Sequence, residues 1–513
     1  MKSIKRFFLS ALLLTAVALL MRSVGVSFSV YVSNTAGAEA MGLFSLIMSV
    51  FGFALTVASS GANLAVTRMV SDAKGSGDDG LVRKSMKQCI KYCLFFSALA
   101  ALCLFFFSDF IGKEILKEER TVLSLKILAL ALPFIAITSV INGYFTAVRR
   151  VYKNAISQVI EQFIKIGFTV WFFMLFLEKG IEYACVALVS ADLISEISAC
   201  LISYFLYALD KKKHIKEAET KINGREIKGK LYSIALPVAF SAYLRSALIT
   251  VEHILIPRGL RKSGSNQAEA LTSYGTLQSM VLPLVLYPNA ILASFAQLLV
   301  PELSECNVRK EKTRIKYIVS RAFQFSMLYS IGVSGVLICF SGELGKIIYN
   351  SREASNYISL IAPLIPIMYL DGVTDAMLKG LGEQVYSMNV NIIDATLSVI
   401  LVIILLPRYG INGYIITIYV TEIINAALSV LHLVNVTGLR SSIFRIVFSP
   451  LLSILGAASI GKIIFIRLTS LSPITSLVFG ITTVISIYFL LTACIGSVNK
   501  ADRRWLIGLF SER

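Results

Sequence analysis

The chain alternates between long apolar runs and short polar connections. About 20 mostly apolar residues suffice to cross a bilayer as one helix. Fourteen such runs follow one another, at roughly 7–34, 40–67, 88–108, 121–148, 154–178, 183–209, 231–256, 270–302, 315–341, 357–379, 386–407, 411–436, 443–466 and 473–498. Gly, Pro, Asn or charged clusters separate them. The pattern predicts an all-α polytopic membrane protein with about 14 transmembrane helices. Lys2, Lys5 and Arg6 before the first run look like the start of a signal peptide. Arg22 and further apolar sequence extend that run, so an uncleaved first helix is predicted.

Composition narrows the class further. Of 513 residues, 56% are hydrophobic and 16% charged, against about 25% charged in an average soluble domain. Too little polar sequence is present to cover the surface of a soluble enzyme, a secreted disulfide scaffold or a disordered chain. Lysine and arginine number 49 against 31 acidic residues, a net charge of +18. In a soluble protein that excess would point to nucleic acid. Here the basic residues flank apolar runs and no nucleic-acid motif occurs, so nucleic acid is not an expected partner. Residues 210–230 hold eight of them, whereas 35–39 hold none. Such asymmetry orients a membrane protein and predicts a multi-pass cell-membrane protein with both termini cytoplasmic. The eight cysteines form no CxxC pair and the three histidines are far apart. Neither a disulfide framework nor a metal site is expected; the cysteines read as small apolar residues.

Segments match at a spacing of 223 to 234 residues. Arg22-Ser23 faces Arg245-Ser246, Ala38-Glu39-Ala40 faces Ala268-Glu269-Ala270, and Val148-Arg149 faces Leu378-Lys379. Val151-Tyr152 faces Val385-Tyr386, and Gly180-Ile181 faces Gly410-Ile411. The matches keep chain order and predict two pseudo-symmetric six-helix bundles plus two C-terminal helices. The expected division is 1–209 for the N-terminal lobe, 210–230 for a basic cytoplasmic linker and 231–437 for the C-terminal lobe. Residues 438–498 hold the two extra helices and 499–513 a cytoplasmic tail. Six helices per repeat give both halves the same orientation, a transporter architecture. Pro133, Pro237, Pro283, Pro288, Pro363 and Pro366 lie inside runs and predict kinks or hinges.

An ionisable residue at bilayer depth costs about 2.5–3.5 kcal/mol on insertion scales, so it is expected to face a cavity or a partner. Arg22 lies mid-run with Gly25 and Ser29 on its helical face. Arg245 holds the matching place, and Glu252 follows seven residues later on the same face. Two arginines at equivalent places in two bundles predict a cationic cavity that grips phosphate; pairing with acidic neighbours is the alternative. Glu161 and Lys165, at i and i+4, form an expected local pair beside Gln158 and Gln162. Asp371, Asp375 and Lys379 stack at i, i+4 and i+8. Asp192, Glu196, Asp394 and Glu422 are further intramembrane carboxylates. Glu252, Glu161, Asp371 and Asp375 are the candidates for cavity lining or for a coupling ion, Na⁺ or H⁺. Arg68 and Arg149-Arg150 end their runs on the cytoplasmic side, where Arg68 is a candidate rim contact for phosphate. No GxSxG, Walker loop or HExxH motif occurs, so neither an enzyme nor a cofactor is expected.

Several stretches carry a resemblance. Gly37-Ala38-Glu39-Ala40-Met41-Gly42-Leu43-Phe44 with Ser59-Ser60-Gly61 and Thr67-Arg68 is one. Asn142-Gly143-Tyr144-Phe145-Thr146-Ala147 running into Ala155-Ile156-Ser157-Gln158-Val159-Ile160-Glu161-Gln162 is more specific. Val300-Pro301-Glu302-Leu303-Ser304-Glu305, Lys379-Gly380-Leu381-Gly382-Glu383-Gln384 and Pro407-Arg408-Tyr409-Gly410-Ile411 add to it. Over almost its whole length the chain resembles the stage V sporulation protein B family of the multidrug/oligosaccharidyl-lipid/polysaccharide (MOP) exporter superfamily. The resemblance implies a fourteen-helix flippase fold. It implies translocation of undecaprenyl-pyrophosphate-linked saccharides or peptidoglycan precursors, and a role in spore cortex or envelope formation. Arg22 with Gly25 is similar to the Arg-x-x-Gly that related lipid II flippases place in their central cavity. Phe28 stands where those proteins carry a second arginine, and the run Phe53 to Ala58 is uncharged where they carry another cation.

The expected mechanism is alternating access. The pyrophosphate enters between the lobes and is neutralised by Arg22 and Arg245, with Arg68 at the rim. The polyprenyl tail stays among membrane lipids. Envelope-synthesis enzymes are the expected further partners. A multidrug/cation antiporter of the same superfamily and a non-transporting scaffold for envelope synthesis are the rival expectations.

Overall fold

The computed structural model describes residues 2–59, 61–215, 224–439, 444–467 and 472–494, with side chains from residue 20 onward. The side chains of Lys2, Lys5 and Arg6 and the tail 499–513 lie outside the described residues, as does part of the linker 210–230. Among the described residues every regular element is helical. In chain order the α-helices are α1 (Lys2–Ser59), α2 (Ala62–Gly75), α3 (Asp79–Phe110), α4 (Val122–Ala129), α5 (Leu132–Ala147), α6 (Tyr152–Phe176) and α7 (Ile181–His214). Then come α8 (Gly224–Lys262), α9 (Gln267–Gly275), α10 (Leu282–Leu286), α11 (Asn289–Val308), α12 (Lys312–Cys339), α13 (Ser341–Tyr349) and α14 (Arg352–Ile361). The last are α15 (Ile365–Gly380), α16 (Gln384–Tyr409), α17 (Ile411–Thr437), α18 (Ser449–Arg467) and α19 (Pro473–Cys494).

The described residues include 11 helices long and apolar enough to cross a membrane, or 13 if each of two bent pairs counts as one crossing. The expected fourteen differs from this count at the first segment. Leu20–Gly75 counts once although it runs 56 residues. At 1.5 Å per residue that is about 80 Å, more than twice a hydrocarbon core of about 30 Å. Its helix α1 is interrupted at Gly37, whose φ of 85° and ψ of 165° lie outside the helical region. Glycine meets no Cβ penalty there, so the chain turns without a loop.

Proline accounts for most of the other breaks. The chain bends by 46° between α4 and α5, where Pro133 opens the new helix, and by 58° before α11, where Pro288 is the N-cap. Pro283 sits at the start of α10, Pro363 in a 3₁₀ turn and Pro366 at the start of α15. A proline in the first turn sacrifices no helical hydrogen bond. Pro237 remains inside the continuous α8. There the helix absorbs the missing donor without a break.

In the first half of the chain α2, α3 and α7 pack on α5, and α6 packs on α7. In the second half α11, α12 and α17 surround α15, and α16 pairs with α17. Helix α8 touches both sets. Ile227, Leu231 and Ala235 are buried among Val70, Met86 and Tyr144, whereas Gly259 lies against Leu406 of α16. Ile215, just beyond α7, is buried in the same cluster as Ile227, so both described ends of the linker are docked. Helices α18 and α19 attach to α12. Ile454 and Tyr488 abut Gly335 and Gly332, and the Tyr488 hydroxyl donates to the Leu328 carbonyl at 2.7 Å. The cysteines are free: Cys103 and Cys494 are exposed, the other six buried.

Alternation of crossings puts residues 68–80, 149–152, 210–215, 224–230 and 308–312 on one face of the bundle, the linker face. Residues 35–40, 111–121, 262–267 and 409–411 lie on the opposite face. The tightest approach between the chain halves is near that opposite face. A Cβ placed on Gly42 would stand 2.0 Å from the Leu271 carbonyl oxygen, and one on Gly275 2.2 Å from that of Ala38. Backbone cannot yield as a flexible side chain can. Gly42→Ala is therefore expected to lose about 1–3 kcal/mol of stability through overpacking. Gly25→Ala, with open space around its Cβ position, is expected to leave stability unchanged or slightly raised. Thermal unfolding of the two variants in detergent checks this contrast.

Candidate functional site

The seam between the halves is built from hydroxyls. The first stretch of α1 lies along 279–287: the Ser23 hydroxyl bonds the Tyr287 hydroxyl at 2.5 Å, and Ser29 donates to the Ser279 carbonyl at 3.4 Å. The second stretch meets α8. Thr56 bonds Ser246 at 3.0 Å, Thr250 donates to the Ser49 carbonyl at 3.0 Å, and Tyr243 to that of Val57 at 3.3 Å. The Ser45 and Ser279 hydroxyls bond each other nearer the opposite face. Serine and threonine side chains also bond carbonyls of their own helix, so such positions tolerate a bilayer when no partner is present.

Arg22 is exposed on this seam and donates to the Leu286 carbonyl at 3.2 Å. Among the described residues no carboxylate pairs with it. Arg245 is exposed on α8, one residue from the seam contact of Ser246. Its charge acts on Asp394 of α16. Glu252, two turns further along α8, faces the same helix, with Ser398 in hydrogen-bonding reach and Asp394 nearby. Arg245 and Glu252 thus share a neighbour, as their sevenfold spacing suggests. Arg22 and Arg245 share none: Arg22 has Leu286 and Tyr369 beside it instead. Arg68 is exposed at the linker face, next to Thr67, which donates to the Gly143 carbonyl at 3.2 Å.

The carboxylate candidates divide between the halves. In the first half Lys165 bonds Asp192 of α7 at 2.5 Å, with Glu161 and Glu196 in the field of the same ammonium. The expected local pair with Glu161 gives way to a bond between helices, because Asp192 faces Lys165 across the α6–α7 contact. In the second half Asp375 is tied to Lys379 at 2.6 Å and accepts from the Ser387 hydroxyl. One oxygen of Asp371 is buried without a hydrogen bond. Glu422 lies in the field of Asp371 and Asp394. Among the described residues no three of His, Cys, Asp and Glu gather closely enough to hold a metal ion.

Two ionic nodes escaped the sequence reading. On the linker face Asp210, 1% exposed, accepts from Arg150 and Lys153 at 2.5 Å each and from the Tyr144 hydroxyl at 2.9 Å. On the opposite face Glu118, 5% exposed, takes two bonds from Arg120, at 2.5 and 2.9 Å. Gln267 of α9 donates to Glu118 at 2.5 Å, and Arg120 reaches Glu39 of α1 at 3.0 Å. Arg258 of α8 donates to the carbonyls of Glu114 and Ile115 at the end of the π-helical turn following α3. A cation there satisfies carbonyls that a helix end leaves open. This set of bonds clamps the two halves together at the opposite face, beside Gly42 and Leu271. Its partners lie 81 and 149 residues apart, so no local spacing signals it.

Burial raises the pKa of Glu118, but hydrogen bonds from Arg120 and Gln267 and the charges of Arg120 and Arg261 outweigh it. Its carboxyl therefore titrates below the ordinary 4.5. A carboxylate with a depressed folded pKa adds stability above its unfolded value and loses it as pH falls through the folded one. Thermal stability is thus expected to be full at pH 7 and to fall on acidification below about pH 4. Glu118→Gln should cost about 3 kcal/mol at pH 7 and flatten that acid-side loss; unfolding curves from pH 7 to 3 check both.

Known proteins match this architecture. Residues 9–307 match the family model described as polysaccharide biosynthesis protein, and residues 267–404 the model described as MatE. The chain is 26% identical to stage V sporulation protein B of Bacillus subtilis (strain 168), over 79% of each sequence. Its fold is similar to that of the solved lipid II flippase MurJ, inward closed conformation. The TM-score is 0.70 at 14% identity, covering 94% of this chain and 98% of that one. An inward-facing multidrug resistance MATE family transporter of the MOP superfamily gives a TM-score of 0.63 at 15% identity, covering 82% and 94%.

Proposed function

Because the chain belongs to the polysaccharide biosynthesis protein family, among the membrane transporters and flippases of the MOP superfamily, we propose that it flips a polyprenyl-pyrophosphate-linked saccharide. The cargo class is an undecaprenyl-pyrophosphate saccharide or a peptidoglycan precursor, and the setting is spore cortex or envelope formation. The carrying observation is Arg22: a guanidinium at the seam between the halves, bonded to one backbone carbonyl and to no described carboxylate. A planar fork with donors to spare suits a phosphate, which it can grip bidentately. The hydroxyls along the seam suit the sugar.

In this reading the linker face is cytoplasmic, with both termini on that side, and Arg68 meets the incoming phosphate at its rim. The head group passes between the halves while the tail stays in lipid. Arg245 is held by the field of Asp394 when the cleft is empty, so the carboxylate is released as phosphate takes its place. Glu252, Asp371, Asp394 and Glu422 are the residues that would carry a coupling H⁺ or Na⁺, with Glu161 sharing the field of Lys165 with Asp192 and Asp375 tied to Lys379. Envelope-synthesis enzymes take the product on the far side. The rival reading, a drug/cation antiporter, draws on the MatE match over residues 267–404, which hold Asp371, Asp375 and Asp394.

Flipping of a fluorescent polyprenyl-pyrophosphate saccharide in proteoliposomes separates them. A charge-assisted bond contributes about 1.5–3 kcal/mol, so Arg22→Ala is expected to slow flipping about tenfold or more, and Arg245→Ala similarly. Rates equal to wild type from folded variants would contradict the flippase reading.

A further inference from the structure

The opposite face carries an open surface cavity of about 410 Å³, away from Arg22 and Arg245 on the seam between the halves. That volume falls within the roughly 300–1,000 Å³ of small-molecule sites. Lys113, Arg120 and Lys126 line it together with Asp109, Glu119 and Glu182. Ammonium and guanidinium groups recognise phosphate, and carboxylates accept hydrogen bonds from the hydroxyls of a sugar. The mixture fits a phosphate-bearing saccharide better than a bare anion or a bare cation.

Arg120 belongs to two structures at once. It lines this cavity, and it also holds Glu118 and Glu39 in the clamp. Glu118 in turn receives Gln267 from the other half. The remaining cavity cations each hold a single carboxylate. Lys113 is 3.9 Å from Glu119 with both side chains more than half exposed, and Lys126 pairs with the exposed Asp109 at 2.7 Å. Exposed pairs of this kind contribute about 0–1 kcal/mol, so a multivalent anion can displace them.

We propose that this cavity is an exit-side binding site for the phosphate-bearing head group, and that phosphate bound there unlocks the clamp by competing for Arg120. Phosphate oxygens take the guanidinium donors that Glu39 and Glu118 hold. Glu39 of α1 then loses its ion pair, and Glu118 loses the charge that holds it in place against Gln267. The halves part where Gly42 and Leu271 touch. This inference rests on the flippase reading for the identity of the ligand. The cavity and its link to the clamp are independent of the central arginines.

Hydrogen–deuterium exchange on the full chain in nanodiscs tests it, with inorganic pyrophosphate as the probe. Pyrophosphate is expected to speed amide exchange at least threefold in residues 111–121 and 266–275 of the wild type. Lys113→Ala/Lys126→Ala, which alters the cavity but not the clamp, should keep wild-type exchange without pyrophosphate and lose the response. Arg22→Ala/Arg245→Ala should keep the response, whatever its effect on flipping. Glu39→Gln should exchange faster without any ligand. An unresponsive wild type overturns the proposal. So does a response that survives in the lysine pair or disappears in the arginine pair, which places the pyrophosphate in the central cleft.

Discussion

Placing an ionised side chain at bilayer depth costs about 2.5–3.5 kcal/mol, and this constraint organises the charges of the whole molecule. Most lysines, arginines and carboxylates gather at the two faces. Some of those that remain deeper are paired: Lys165 is tied to Asp192 and Asp375 to Lys379. Arg22 bonds a carbonyl and, among the described residues, no carboxylate. A guanidinium stays charged under all ordinary conditions.

The same constraint makes the two halves unequal. Glu161, Asp192 and Glu196 surround an ammonium that is part of the chain. In the other half Glu252, Asp394, Glu422 and Asp371 lie near one another with Arg245 at one end and Lys379 at the other. A tethered cation needs no mobile ion, whereas carboxylates without one gain from binding it.

Much of the fold is legible in the sequence because hydrophobicity and proline act locally. Apolar runs long enough to cross a bilayer become helices; Pro283, Pro363 and Pro366 open short turns or helices within longer helical stretches, and Pro133 and Pro288 mark bends of 46° and 58°. Pro237 does not, since α8 is supported on both sides. The sequence separates the first two runs at 35–39, and the structure interrupts α1 at Gly37 within that stretch. At the site, sequence spacing correctly put Arg245 and Glu252 on one helical face. It gave no hint that Asp394, more than 140 residues away, would be the group beside Arg245. Glu161 does lie in the field of Lys165, but the direct bond of Lys165 goes to Asp192 on the next helix, which local spacing does not show. The clamp was invisible because Glu39, Glu118, Arg120 and Gln267 meet only after α1, α3 and α9 have packed.

Native mass spectrometry of the protein purified in mild detergent tests the central claim most directly. The account predicts a co-purifying polyprenyl-pyrophosphate saccharide on the wild type that is lost from Arg22→Ala/Arg245→Ala. A wild type that carries no anionic lipid of this class, or a double variant that keeps it undiminished, would contradict the account.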